Sequence, residues 1–300
     1  MAQDSSTYSG RAHLMKSVEI LGVEVDAIGV IDLLAELRAD LESGKRRHVV
    51  TVNPEMVMRA RHDAAFKECI NAADYRVPDG NGLLWAADYL RRPLHGPLRG
   101  IRSWVKAVAL LTKFLIRPRG RVIPEVVRGS SLVSDLAGLA EEFGHTLYLL
   151  GAAPGVAERA AEVLRERFPE VHIGGAEEGS PSAESDDALH TSISQSGASI
   201  VLVAFGAPKQ ERWIARNLSR LSAPCVAVGV GGAFDYLTGS APREGGAPAK
   251  NPPAMIQRRG LEWLWRLITQ PWRWRRIMTA FPSFVRAVVR YEASRHRTSL

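Results

Sequence analysis

From Val18 onward, short apolar runs alternate with amphipathic stretches, and the period of the apolar positions changes between them. VEILGVEVDAI has the alternation of one or two strands, whereas IDLLAELRADLESG repeats its leucines at helical spacing and stops at Gly44, a common helix terminator. HVVTVNPEMVMRARHDAAFKECINAAD reads as a strand, a turn and a helix. TLYLLGAAPGVAERAAEVLRERF and SIVLVAFGAPKQERWIARNL each give a strand, a Gly/Pro turn and an amphipathic helix, and PCVAVGVGGAFDYLTG adds a strand with a glycine-rich exit. Strands alternating with helices predict an α/β fold over residues 17–240, with a doubly wound, mostly parallel, Rossmann-like sheet. In such sheets ligands bind outside the carboxyl ends of the strands, where these loops fall.

Two stretches depart from this rhythm. Residues 94–127 read as a basic amphipathic insertion: Arg102, Lys106, Ala109, Lys113 and Arg117 share one helical face, and Trp104, Val105, Val108, Leu111 and Leu115 the other. Such a helix can lie in a membrane interface, or pack on the domain with its lysines in water. After a Gly/Pro/Ala linker at 241–254 comes a helical C-terminal appendage, 255–300, with four of the seven tryptophans. Arg258 to Arg297 holds ten arginines against two acids, a mixture suited first to an anionic membrane surface, then to an oligomer or partner interface. Single-stranded nucleic acid ranks last, because no nucleic-acid motif accompanies it. Residues 1–16 are polar and read as a disordered leader without a secretory signal.

Composition narrows the classes. Apolar residues make up 46% and charged residues 24%, which is ordinary for a globular chain, and no apolar run reaches the roughly 20 residues of a spanning helix. The excess of 39 Lys and Arg over 32 Asp and Glu points to acidic partners. Cys69 and Cys225 are far apart, match no metal or redox spacing, and read as buried thiols in a reducing compartment. The eight histidines lack zinc spacing, no D-x-D stands at a strand end, and there is no G-x-S-x-G elbow. Neither a metal nor a cofactor is expected.

The candidate chemistry lies in the strand-end loops. Thr51 and Asn53 of TVNPE could bond a sugar or phosphate, or simply form a turn. Asp79 in VPDGNG follows a proline bend, with Gly80 allowing close approach of a ligand. It could act as a general base, or be a turn aspartate or helix cap. GAAPG at 151–155 opens a helix whose amides could hold phosphate, a weak signal without a P-loop lysine. In AFGAPKQE a tight turn through Gly206 presents Lys209 to a phosphate and Gln210 to a base or sugar, with Glu211 serving the helix dipole. GVGGAFD ends in Asp235, able to bind a ribose or base edge, or is strand-turn punctuation.

TVNPE, ADYRVPDGNGLLWA, LYLLGAAPGVAERAAEVL, VAFGAPKQERWI, GVGGAFDYLTG and RRGLEWLWRLITQPWRWRR occur in this order between about Val18 and Ile277. Together they resemble the WecG/TagA/CpsF family of bacterial glycosyltransferases. The resemblance implies an inverting, metal-independent transfer of a sugar from a nucleotide-diphosphate donor, usually UDP-linked. The acceptor would be a polyprenyl-diphosphate-linked sugar in cell-surface polysaccharide or wall-polymer synthesis. It also implies that Asp79 is the general base, with Thr51 and Asn53 beside it, and that Gln210 and Asp235 contact the donor. Arg266, Arg273 and Arg276 of the appendage would reach the lipid diphosphate. The location implied is cytoplasmic, peripheral on the inner face of the plasma membrane. Off the membrane, a neighbouring subunit in a homo-oligomer could cover the exposed tryptophans of the appendage. The chain departs from the family where an Arg-containing stretch should closely follow PDG. Val126 takes the arginine's place, Arg128 lies two positions later as its substitute, and Ser131 replaces an acid. Gly179-Ser180-Pro181 stands where Gly-Tyr-Phe is usual. A nucleotide-binding, membrane-associated protein without transferase activity is the alternative.

Overall fold

The computed structural model describes residues 16–91, 99–116, 120–222, 224–240, 256, 265, 268–269 and 282–295. The leader, the linker and most of the tryptophan-rich segment, with Arg266, Arg273 and Arg276, lie outside the described residues.

The chain opens with an antiparallel hairpin, β1 (Ser17–Ile20) and β2 (Val23–Asp26), turning through Leu21 and Gly22 at positive φ. The two-residue turn needs left-handed backbone to match the twist of its strands. There follow α1 (Val30–Glu42), β3 (Arg46–Val52), α2 (Pro54–Ala60), α3 (Ala64–Ala72), β4 (Tyr75–Pro78) and α4 (Asn81–Leu90). Next come α5 (Arg99–Ile116), α6 (Gly129–Phe143), β5 (Thr146–Gly151), α7 (Val156–Arg167), β6 (His172–Glu177) and α8 (Asp186–Gln195). The series ends with β7 (Ile200–Ala204), α9 (Lys209–Asn217), β8 (Cys225–Gly229), α10 (Ala233–Thr238) and α11 (Phe284–Arg295).

Strands β3 to β8 form one sheet in the order β4-β3-β8-β7-β5-β6, every neighbouring pair parallel. Their central runs are buried on both faces, as a parallel sheet covered by helices requires. On one face Leu33, Leu37, Leu132, Leu136, Ala160 and Phe234 from α1, α6, α7 and α10 close the core. The other face carries two clusters. Trp213 and Ile214 of α9 pack with Leu189 and Ile193 of α8 in one, and Phe66, Leu83, Trp85, Phe284 and Val288 bring α3, α4 and α11 into the other. The doubly wound reading therefore holds, and a C-terminal helix is built into the core.

Two local readings change, and one strand is added. The segment after β3 holds two helices, because the Asp63 carboxylate accepts the Phe66 N–H at 3.0 Å and starts α3 afresh. HIGGAE forms the edge strand β6 despite two glycines, and a Cβ on Gly175 would stand 2.3 Å from the Tyr148 ring, so the glycine admits that ring. Cys225 is buried, but Cys69 is only half-buried.

The helix of the insertion, α5, packs through neither of the faces its periodicity suggests. Ser103 and Ala107, both fully buried, bring it close to α4 and α11. The Ser103 hydroxyl donates to Glu292 Oε2 at 2.9 Å, and Lys106 Nζ donates to the Tyr89 carbonyl at 2.6 Å while lying over its ring. Burial depresses the Lys106 pKa, so this lysine is not in open water as the packed-helix reading expects. Ile101, Trp104, Val105 and Val108 face outward instead.

Candidate functional site

β4 ends at Pro78, and Asp79 follows with its N–H donating to the Val52 carbonyl at 2.6 Å. That bond fixes the Asp79 loop on the carboxyl end of β3, with the side chain half-exposed. Gly80 holds φ at +120°, a conformation L side chains rarely adopt, so the bend that starts α4 depends on it. The Val127 N–H donates to the Pro78 carbonyl at 2.8 Å. Asp79 and Arg128 are therefore each the next residue after a bonded pair, and the carboxylate and guanidinium belong to adjoining loops.

The return of the chain from α5 to this point is pinned. Asp88 Oδ1 accepts the N–H groups of Arg121 and Val122, and Glu125 Oε1 accepts that of Val30 at the start of α1. These bonds bring Arg128 to the N-cap of α6. A Cβ on Gly129 would come 3.4 Å from the Val230 carbonyl and 3.7 Å from Thr51 Oγ1. The N-terminus of a fifteen-residue helix, the positive end of its dipole, thus abuts the ends of β3 and β8. No strand or helix was expected at α6, although the glycine in VRGSS was the available sign of a tight approach.

Thr51 is buried, and its hydroxyl donates to the Gly229 carbonyl at 2.8 Å, tying β3 to β8. Asn53 is the N-cap of α2, its side-chain oxygen accepting the Met56 N–H at 3.0 Å. The turn-forming role is realised at Asn53, one residue past β3. Gly206 has positive φ and opens the turn to α9, where Lys209 is the first residue and is exposed.

Gln210 is 2% exposed and fully engaged. Its Oε1 accepts the N–H groups of Gly206 and Gly231, each at 3.0 Å, and its Nε2 donates to Glu211 Oε1 at 2.7 Å. The side chain clasps the β7–α9 loop to the β8–α10 loop, and a ligand contact through this amide would have to replace one of those bonds. A Cβ on Gly229 would lie 2.6 Å from Gln210 Nε2, so glycine there makes room for the clasp. Glu211 is completely buried in α9 rather than serving the dipole from the surface, and burial pushes its carboxyl up to about 7. Asp235 lies nearly buried in the first turn of α10, its Oδ2 3.3 Å from where Gly232 would carry a Cβ.

The loop after β5 is shaped by contact with β7. Gly151 has φ +112°, and a Cβ there would stand 2.7 Å from the Ala204 carbonyl carbon. Ala152, also at positive φ, donates its N–H to the Ala204 oxygen at 3.0 Å. Asp79, Arg128, Thr51, Gly206, Gln210 and Asp235 thus come from four strand ends, those of β3, β4, β7 and β8, and one helix start along a single sheet edge. Among the described residues no three His, Cys, Asp or Glu side chains gather as metal ligands. No described helix is long and apolar enough to cross a membrane.

The sequence matches the glycosyl transferase WecG/TagA/CpsF family over residues 18–113 and 105–298. It is 28% identical over 252 residues to the N-acetylglucosaminyldiphosphoundecaprenol N-acetyl-β-D-mannosaminyltransferase of Bacillus spizizenii strain W23, covering 84% of this chain and 82% of the relative. The protein of the same name from Bacillus subtilis strain 168 is 25% identical over 247 residues, covering 82% and 80%. With its motif loops assembled on one edge of a parallel sheet and the family match spanning most of its length, this chain belongs to the WecG/TagA/CpsF family of glycosyl transferases.

Proposed function

We propose that this glycosyltransferase moves an N-acetylhexosamine, N-acetylmannosamine in the first instance, from a UDP-linked donor to N-acetylglucosamine carried on a polyprenyl diphosphate. The names of its Bacillus relatives support the sugar and the acceptor. The observation that carries the reading is the bond from Val127 to Pro78, which sets Asp79 and Arg128 on adjoining loops.

The Asp79 carboxylate takes the proton of the acceptor hydroxyl as its oxygen attacks the anomeric carbon. The bond from that carbon to the donor phosphate breaks, its electron pair leaves with the nucleoside diphosphate, and the attack from the opposite face inverts the centre. In a metal-independent reaction, cationic groups must stabilise the charge growing on the diphosphate. Arg128, the exposed Lys209 and the N-terminus of α6 are the described groups at this edge suited to it. Thr51 and the Gln210 clasp hold the floor and the two donor-side loops, and Asp235 is assigned to the ribose or base. Asn53 fixes the turn beside Asp79, and Gly80 leaves its mouth open. Arg266, Arg273 and Arg276 are assigned to the lipid diphosphate, at the inner face of the plasma membrane.

The test is transfer from a panel of UDP-N-acetylhexosamines to lipid-diphosphate N-acetylglucosamine, read by mass spectrometry. Asp79→Asn should lower turnover by about a hundredfold to ten-thousandfold while UDP binding stays near that of the wild type. Full turnover in that variant would remove Asp79 as the base. UDP binding with no turnover of any donor by the wild type would instead favour a nucleotide-binding protein without transferase activity.

A further inference from the structure

The outward face of α5 is the largest run of exposed apolar side chains among the described residues. Ile101, Trp104, Val105 and Val108 are 68%, 47%, 64% and 58% exposed, and their i, i+3, i+4, i+7 spacing makes one continuous stripe. Among the described residues only two other large apolar side chains, Ile31 and Ile268, are comparably exposed, and they lie elsewhere in the chain. The stripe is not loosely held. The Ser103–Glu292 and Lys106–Tyr89 bonds fix the opposite side of the helix to α4 and α11, so the apolar face is presented by a rigid element.

Charge identifies the occupant. Besides Lys106, which is held inward on Tyr89, the helix carries Arg99, Arg102 and Lys113 and no acidic residue. A second copy of α5 laid against it would bring basic residues to basic residues. The arginine-rich segment after the linker, with ten arginines and two acids from Arg258 to Arg297, is equally mismatched. A surface that is anionic outside and apolar just beneath complements both the cations and the stripe, and the indole of Trp104 suits its boundary layer.

We propose that α5 is a membrane-docking element, distinct from the C-terminal appendage, with Ile101, Trp104, Val105 and Val108 entering the interfacial layer of an anionic bilayer. The proposal deepens the lipid-acceptor reading, but its binding step requires no transfer reaction. Docking would also set the height of the catalytic edge. α4 runs from the Asp79 loop to the contact with α5 at Tyr89, and its ten residues span about 15 Å.

The experiment uses the full chain and sedimentation with vesicles of phosphatidylcholine, with and without phosphatidylglycerol. The combined variant Ile101→Ser, Val105→Ser and Val108→Ser alters only exposed positions, and circular dichroism checks that it is folded. Wild type should sediment with the phosphatidylglycerol vesicles and the variant should lose at least about tenfold in partitioning, while turnover of a short-chain, water-soluble acceptor stays unchanged. The tryptophan emission of wild type should shift to the blue on vesicles by more than that of Trp104→Phe. Equal partitioning of the variant and wild type would overturn the proposal. So would a change from dimer to monomer in the variant with vesicle binding intact, since that would make a second copy the occupant. Asp79→Asn should bind vesicles as the wild type does, so failure of the transfer reading and failure of this one are separable.

Discussion

Glu211→Gln isolates the one buried carboxyl behind the clasp. Glu211 is completely buried, its Oε1 accepts Gln210 Nε2, and its Oε2 has no hydrogen-bond partner. Burial holds its carboxyl at about 7 in the folded protein, against an ordinary value of 4.5 in the unfolded chain. Between those two values the folded state keeps a proton that the unfolded chain has released, so stability falls as pH rises from 4.5 to 7 and then levels off. The gap of 2.5 units corresponds to about 3 kcal/mol of penalty at pH 8.5, against under about 1 kcal/mol at pH 5. A glutamine can still accept the Gln210 N–H and never ionises, but it leaves a buried amide N–H₂ whose cost, about 1–3 kcal/mol, is the same at both pH values. The variant should therefore gain roughly 2–3 kcal/mol on wild type between pH 5 and pH 8.5, whatever its offset. Guanidinium unfolding of both proteins at the two pH values measures this directly. A difference between them that stays constant with pH would refute the reading of Glu211 as a carboxyl protonated near neutrality.

Substitutions at three further positions probe the frame around the site. His48 is fully buried, its Nε2 lacks a partner, and burial pushes its pKa down to about 3. The unfolded chain therefore takes up a proton that the folded chain refuses as pH falls below 6.5, and His48→Leu should gain about 2–3 kcal/mol on wild type between pH 7.5 and pH 4.5. Parallel acid-denaturation curves would contradict this. Gly151→Ala meets both a positive φ and the Ala204 backbone, and should cost about 2–4 kcal/mol in a denaturant melt. An unshifted midpoint would show that the β5 loop yields. Asn53→Ala removes the α2 cap and should cost about 1 kcal/mol, whereas Asn53→Asp should largely retain it. If both substitutions lose activity without losing stability, Asn53 serves the substrate instead.

What the sequence determined by itself was the alternation of periods: runs such as IVLVA and CVAVG, buried on both faces, can be little else than central parallel strands. It also supplied the Gly/Pro punctuation that puts TVNPE, PDG, PKQE and GAFD at strand ends, and the order of those motifs. Each of these signals is local, carried by residues within a few positions of one another. Tertiary structure decided everything that depends on a partner distant in the chain. Gln210 reads as a free amide until Gly231, twenty-one residues on, presents its N–H. Glu211 reads as a surface carboxylate until α9 packs its whole side chain against the sheet. Periodicity drew an apolar and a basic face on α5, but the strip that is buried is neither of them, because it is set by contacts with α4 and α11, Glu292 and Tyr89 among them. The buried strip, Ser103, Ala107, Phe114 and the partly buried Leu110, runs beside both helices, with the serine hydroxyl satisfied by Glu292, so Ile101, Trp104, Val105 and Val108 were left outside. Arg128, likewise, is an arginine two positions out of register until one backbone bond from Val127 to Pro78 joins its loop to that of Asp79.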